Sequence, residues 1–182
     1  MEIDMTRHGG AIGLAVAEKI DRRDVWRVRT DIQPVYDEEN TELQVGVSFI
    51  ETEFPYKPTL ADVKAFVLAV INAQTDRSIE SGLVWHCQAT GEGIPVWLSK
   101  ENQLNFKAAY DLAVQKQGET LPVTFKMGER EDGTPVYHTF GTMEEAEDFY
   151  TTAVDYIHQR LTDGWRKKDT FDFTPYEEAL NV

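Results

Sequence analysis

Residues 84–110 read VWHCQATGEGIPVWLSKENQLNFKAAY, in which two short apolar runs are followed by an amphipathic segment. The apolar runs cover 83–87 and 94–98, and the turn-forming residues at 89–93 between them are typical of a β-hairpin. Ser99 follows directly and is predicted to cap a helix, because a serine side chain can accept a hydrogen bond from a free amide of the first turn. The stretch therefore predicts a hairpin that leads into a helix.

The same order of elements recurs downstream. A second hairpin is predicted from strands at 121–127 and 136–140, which are joined by a charged loop. Thr142 and Glu145 have the spacing of a capping box, which predicts the start of the last helix. Gly164 is predicted to end it. An aromatic tail follows and is predicted to lie across the body of the protein, anchored by Trp165, Phe171, Phe173 and Tyr176.

Upstream, residues 1–57 are predicted to be rich in β-strand. Residues 25–30 mix β-branched, aromatic and charged side chains, which favours a strand. Residues 43–49 alternate in polarity, as a half-buried antiparallel strand does; one face holds Leu43, Val45, Val47 and Phe49. Residues 12–16 also alternate, and a short helix over 12–20 is the alternative to a strand here.

A helix is predicted to begin after Pro58. Thr59 is a good N-cap, and Asp62 lies three residues later, where the acid of a capping box belongs. The apolar residues that follow recur at helical spacing, and the helix is predicted to end near 72–75.

These elements predict an α+β fold, with small antiparallel hairpins and three helices in the C-terminal part. The prolines around the first helix indicate a division into a β-rich segment, 1–57, and an α+β domain, 58–182, although the junction is short and would also fit two parts packed as one unit. The domain is predicted to run helix, hairpin, helix, hairpin, helix and aromatic tail. The β-rich segment is a candidate attachment module.

The composition limits the possible partners. The 182 residues include 18 Lys and Arg against 32 Asp and Glu, a formal net charge of -14. Such a surface repels phosphate groups, so neither nucleic acid nor a membrane is expected as a partner. Cys87 is the single cysteine, which excludes an intrachain disulfide and a four-cysteine zinc site. The start lacks the features of a signal peptide, so a reducing cytoplasm is the expected setting.

Arg7-His8-Gly9 resembles the signature of the histidine phosphatases, in which the histidine accepts a phosphoryl group and arginines hold its oxygens. In that family the motif follows an apolar strand, whereas residues 2–6 here are half charged. His138 does not match the second histidine of the family, and the arginines that follow the motif, Arg22, Arg23, Arg27 and Arg29, lack the family's context. An exposed arm or turn is the favoured interpretation, and a phosphatase centred on His8 is the enzymatic alternative.

Other candidate motifs favour structural roles. His86 and Cys87 are adjacent on a predicted strand and therefore point to opposite faces, so they cannot form a catalytic pair with each other. Gly91-Glu92-Gly93 lacks the lysine of a phosphate-binding loop and is interpreted as a hairpin turn. The residues thus predict no catalytic site, no cofactor-binding site and no metal site.

Several segments resemble a domain of unknown function carried by tailed bacteriophages and prophages. They lie within about 59–180 and comprise Pro95 to Gln103, Phe106 to Tyr110, Leu121-Pro122, Pro135-Val136-Tyr137, the helix from Phe149 to Ile157, and Gly164-Trp165. The resemblance implies a gene among tail and tail-fibre genes and brings no catalytic residues with it.

The resemblance implies a non-enzymatic structural protein of a phage tail or tail fibre, which acts through contacts with other tail or fibre proteins. A homo-oligomer is expected, located in the bacterial host cytoplasm during assembly or in the virion. The alternative within the same setting is a tail-fibre assembly chaperone that is absent from the mature particle.

Overall fold

The computed structural model describes residues 4–20 and 25–181. Its strands are β1 (Arg7–Gly10), β2 (Ala17–Ile20), β3 (Val25–Tyr36), β4 (Gln44–Phe54), β5 (Leu83–His86), β6 (Gly93–Val96), β7 (Val123–Glu129) and β8 (Pro135–Phe140). Its helices are α1 (Leu60–Glu80), α2 (Lys100–Gln115), α3 (Met143–Asp169) and α4 (Thr174–Leu180). Helices combined with small antiparallel sheets confirm the predicted α+β class. Within the described part of the chain, no helix is both long and apolar enough to cross a membrane.

The chain forms two compact units, and the boundaries between them differ from the predicted division at 57/58. Unit 1 comprises Met1–Gln74 and Arg166–Val182, and unit 2 comprises Thr75–Trp165. The reason is that the apolar face of α1 completes the core of the N-terminal sheet. That core contains Val28, Ile50, Val63, Phe66, Val67, Val70 and Tyr176, with Phe171 and Phe173 packed against it.

The sheet of unit 1 has the antiparallel order β1-β4-β3-β2. Residues 12–16, predicted as a strand or helix, instead form the connection between β1 and β2. The pairing of β3 with β4 shifts twice, at Thr30/Gln33 and at Val35/Tyr36. Val47 and Phe49 are buried as the alternation predicts, whereas Leu43, which precedes β4, and Val45, which lies at the second shift, are exposed.

Helix α1 begins at the predicted cap. The Asp62 carboxylate accepts hydrogen bonds from the Thr59 amide, at 2.8 Å, and from its hydroxyl, while the Thr59 hydroxyl accepts one from the Asp62 amide. The predicted end near 72–75 is wrong, because α1 continues to Glu80, where Ile79 enters the core of unit 2. Gly82, two residues after the end of α1, has a φ of 80°, a conformation that favours glycine.

Both predicted hairpins of unit 2 are present. Strand β5 pairs with β6, and β7 pairs with β8. The two hairpins are joined where the amide of Trp97 donates to the carbonyl of Met127 at 2.7 Å. Ser99 caps α2 as predicted by accepting a hydrogen bond from the Asn102 amide. The inner side of the hairpins and the facing sides of the helices form an aromatic core, whose buried rings are Trp85, Phe106, Phe140 and Phe149.

The predicted end of the last helix is wrong. Helix α3 runs past Gly164 to Asp169, and Gly164 is buried within it. A Cβ atom at Gly164 would overlap the side chain of Thr75, so this glycine permits a close approach between two helices rather than ending one. The tail contains α4, and Phe171, Phe173 and Tyr176 anchor it as predicted, but Trp165 is largely exposed and is not an anchor.

Candidate functional site

Arg7 and His8 lie on β1, which is an edge strand of the sheet in unit 1. The Arg7 guanidinium pairs with the Asp31 carboxylate at 2.5 Å and donates to the carbonyl of Ser48 at 3.1 Å. Asp31 has a φ of 51° and sits at a register shift of β3, so Arg7 stabilises an irregular point of the sheet. The exposed His8 ring stacks on Phe49. The predicted arm is therefore a paired strand, and its arginine already has partners.

The other arginines named with this motif have structural partners as well. Arg27 pairs with Glu53 at 3.0 Å, and the buried Arg29 pairs with Glu51 at 3.3 Å. Arg22 and Arg23 lie outside the described residues. The three arginines of this group that the structure describes, Arg7, Arg27 and Arg29, are thus engaged in ion pairs within the sheet.

The predicted opposition of His86 and Cys87 is confirmed. His86 is exposed, whereas Cys87 is only 1% exposed. The Cys87 amide donates to the carbonyl of Glu92 at 3.0 Å, and the Cys87 carbonyl accepts from Gly91 at 2.7 Å. These bonds hold the thiol inward beside the turn of the first hairpin. Gly91 and Glu92 belong to that turn as predicted, whereas Gly93 is the first residue of β6 and pairs with His86.

Three elements of unit 2 bring the side chains of Cys87, His138 and Glu145 together. The Cys87 thiol donates to Glu145 Oε1 at 3.4 Å, and His138 Nε2 lies 3.0 Å from the same oxygen. The potential ligand atoms of the three residues lie within 4.8 Å of one another. They form the one group of three or more metal-ligating side chains found in residues 4–20 and 25–181. We call this group the Cys–His–Glu cluster.

Local structure explains each position in the cluster. His138 alternates with Val136 and Phe140 on β8, so strand periodicity directs it inward. Glu145 occupies the first turn of α3, where its amide donates to the hydroxyl of Thr142 at 3.2 Å. The other half of the predicted capping box is altered, because the Glu145 carboxylate accepts from the amide of Gly141 at 3.0 Å.

Trp85 and Asp148 border the cluster. The Trp85 ring meets the His138 ring edge to face, with 5.1 Å between their centroids. Its indole Nε1 donates to Asp148 Oδ2 at 2.9 Å, and the side-chain Nε2 of Gln88 donates to Asp148 Oδ1 at 3.0 Å. A cavity of about 290 Å³ lies beside Glu145. Its lining comprises Trp85, Gln88, Ala89, Thr142, Glu144, Glu145 and Asp148.

The cluster holds Glu145 in its ionised form. Burial by itself raises the pKa of Glu145. The hydrogen bonds from the Gly141 amide and the Cys87 thiol, together with His138, lower this pKa by more than burial raises it. The pKa of Glu145 therefore lies below its ordinary value. An ionised carboxylate only accepts hydrogen bonds, so Nε2 of His138 carries the proton in this contact. A thiol that is activated by a histidine base donates its hydrogen bond to the imidazole. Here the thiol and the imidazole both bond to the Glu145 carboxylate instead.

Acid should weaken this part of the structure. A glutamate whose folded pKa is lowered stabilises the fold above its ordinary pKa of 4.5, and that contribution is lost as the pH falls through the folded value. We therefore expect the difference in unfolding free energy between wild type and Glu145→Gln to be largest near neutral pH and to shrink in acid. Urea denaturation at a series of pH values measures it. Glu144→Gln, at the exposed neighbour, is the control, and a pH-independent difference at Glu145 would contradict the prediction.

The outward side of the unit 2 hairpins carries exposed apolar side chains. Val84 on β5, Trp97 after β6 and Tyr137 on β8 have exposed fractions of 57%, 39% and 63%. Lys126 on β7 lies opposite Tyr137 in the strand pairing, and its ammonium group is 5.0 Å from the centre of the Trp97 ring. We call Val84, Trp97, Lys126 and Tyr137 the outer sheet face.

Sequence reasoning missed the Cys–His–Glu cluster because its members are far apart in the chain. Cys87 and Glu145 are separated by 58 positions, and nothing in the spacing of the residues links a strand end to a helix cap. The one usable signal is the alternation of β8, which predicts that His138 points inward.

Comparisons of this chain with known protein families, with curated proteins and with solved structures found no match.

Proposed function

We propose that the protein is a non-enzymatic structural protein of a phage or prophage tail or tail fibre, and that it acts through protein–protein contacts. The resemblance of about 59–180 to a domain found among tail and tail-fibre genes motivates the biological setting. The observation that supports the mode of action is the outer sheet face. Val84, Lys126 and Tyr137 lie on paired strands, and Trp97 is the residue whose amide links the two hairpins.

The outer sheet face has the chemistry of a binding surface. Tryptophan and tyrosine are enriched where proteins meet, because each contributes a large apolar area at a low cost in side-chain entropy. Trp97 is held against Lys126, so part of its orientation is already set before a partner binds. A surface of this kind also fits self-association, and the proposal includes a homo-oligomer.

The proposal predicts that Trp97→Ser and Tyr137→Ser each weaken association with the tail or fibre partner at least about tenfold, as loss of a central aromatic residue does in many interfaces. Pull-down with the products of the neighbouring tail genes and sedimentation of the purified protein measure the effect. Trp165→Ser is the matched control, because Trp165 is 48% exposed on α3 and lies outside the outer sheet face. Equal losses for all three variants would contradict the proposal, as would a strictly monomeric wild type that captures no tail protein.

The assembly chaperone is the alternative in the same setting. It would use the same outer sheet face but leave the fibre before the particle is complete. Mass spectrometry of purified virions separates the two roles: the structural role requires the protein in the particle, and its absence there, together with binding to free fibre protein, would favour the chaperone.

A further inference from the structure

We propose that Cys87, His138 and Glu145 bind one divalent transition-metal ion of the zinc type. This inference is independent of the proposed tail function, because it concerns the inner side of unit 2 and is tested on the isolated protein. The three side chains come from a strand end, a strand and a helix start, and their ligand atoms are within 4.8 Å of one another. An ion placed among them would be bound by sulfur, nitrogen and oxygen from three fixed backbone positions.

The protons that the Cys87 thiol and the His138 imidazole direct at Glu145 are the ones that a metal ion would replace. Glu145 Oε1 accepts hydrogen bonds from both the thiol and the imidazole. On binding, the Cys87 thiol loses its proton to solvent and the sulfur becomes a thiolate ligand. The Nε2 proton also leaves, while Nδ1 takes a proton from solvent, so the imidazole remains neutral and offers its Nε2 lone pair. The net change is the release of one proton, and no electron is transferred.

The set of donors selects a class of ion. Thiolate and imidazole favour zinc and similar transition metals, whereas calcium and magnesium prefer sites made of oxygen atoms alone. Three protein ligands leave one position of a tetrahedral zinc site for water. Thr142, Glu144 and Asp148 line the cavity beside Glu145 and give that side a polar, acidic wall, which favours entry of a cation.

Surrounding groups orient the ligands. Glu145 is held by the Gly141 amide through its second oxygen, at 3.0 Å. Cys87 is fixed by backbone hydrogen bonds to Glu92 and Gly91, and the His138 ring is packed between Trp85 and Phe140, at centroid distances of 5.1 and 4.7 Å. Such outer contacts are a regular part of protein metal sites. They place the ligands before the ion arrives.

Cobalt is a direct probe of the site because Cys87 is the single cysteine of the chain. The full-length, metal-free protein is titrated with Co²⁺ under reducing conditions and its absorption is recorded. A thiolate–cobalt charge-transfer band in the near ultraviolet, saturating at one ion per chain and removed by Zn²⁺, is the expected result. Any such band reports Cys87 alone. Its absence at saturating Co²⁺ would overturn the proposal.

Variants test the other two ligands. His138→Gln and Glu145→Gln should each weaken Co²⁺ binding by about tenfold to a hundredfold, and Cys87→Ser should remove the charge-transfer band. His86→Gln is the matched control, because His86 is the exposed neighbour of Cys87, and it should bind as wild type does. Thermal unfolding of each metal-free variant checks that it is folded. Wild-type affinity in folded His138→Gln or Glu145→Gln would show that the cluster is a hydrogen-bonded structural group only, which would also overturn the proposal.

Discussion

Trp85→Ala is expected to lower the free energy of unfolding by about 3–5 kcal/mol, the usual range when a large aromatic side chain is removed from a core. Trp85 is 1% exposed, and its ring contacts those of Phe140 and Phe149 at centroid distances of 5.7 and 5.2 Å. The change would leave a void among these rings and would also free the Asp148 carboxylate from its hydrogen bond with the indole. Urea denaturation followed by circular dichroism measures the loss.

Trp97→Ala provides the matched control in the same stretch of sequence. Trp97 lies on the outer sheet face, 39% exposed, and its side chain contacts Lys126 there. We expect a loss below about 1 kcal/mol, because surface substitutions away from a packed core usually have small effects. Similar losses for the two variants would contradict the assignment of one tryptophan to the core and the other to the outer sheet face.

Arg29→Met is expected to destabilise the protein by about 3 kcal/mol, because it removes the nearer and buried partner of Glu51 and leaves that carboxylate only Arg27, 3.8 Å away. The Arg29 side chain is 3% exposed and donates to Glu51 at 3.3 Å and to the carbonyl of Ala15 at 2.9 Å. Glu51 is itself largely buried, so it cannot regain full hydration. Glu18, the other partner, is more exposed and contributes less to the loss.

Arg27→Met is the control for this second prediction, since Arg27 is two residues away on the same strand. Its ion pair with Glu53 is exposed to solvent on both sides, and such pairs contribute at most about 1 kcal/mol. Chemical denaturation of both variants at neutral pH compares them. An Arg27 loss equal to that of Arg29 would show that burial does not decide the strength of these pairs.

Local signals predicted the elements that depend on neighbouring residues. The caps at Thr59 and Ser99 were predictable because one side chain satisfies amides within the next turn. The two hairpins of unit 2 were predictable because alternation and a turn lie together in the sequence. The opposite directions of His86 and Cys87 followed from strand geometry alone.

Distant contacts account for the predictions that were wrong. Glycine is common at helix ends, which is why Gly164 was predicted to end the last helix. Its actual role is to leave room for the side chain of Thr75, which is far away in the chain. The division at 57/58 was predicted from two prolines, whereas the actual division follows the apolar face of α1, which packs on the N-terminal sheet. Neither partner is visible in a local pattern, and the same holds for the Cys–His–Glu cluster.

The discontinuity of unit 1 has a consequence for the order in which the protein matures on the ribosome. Unit 2 is formed by the continuous segment Thr75–Trp165, so its core can close as soon as that segment has emerged. Unit 1 requires Phe171, Phe173 and Tyr176, which are synthesised after all of unit 2. The N-terminal sheet and the first part of α1 are made first, but the side of their core that Phe171, Phe173 and Tyr176 cover must therefore stay exposed until Arg166–Val182 has been translated.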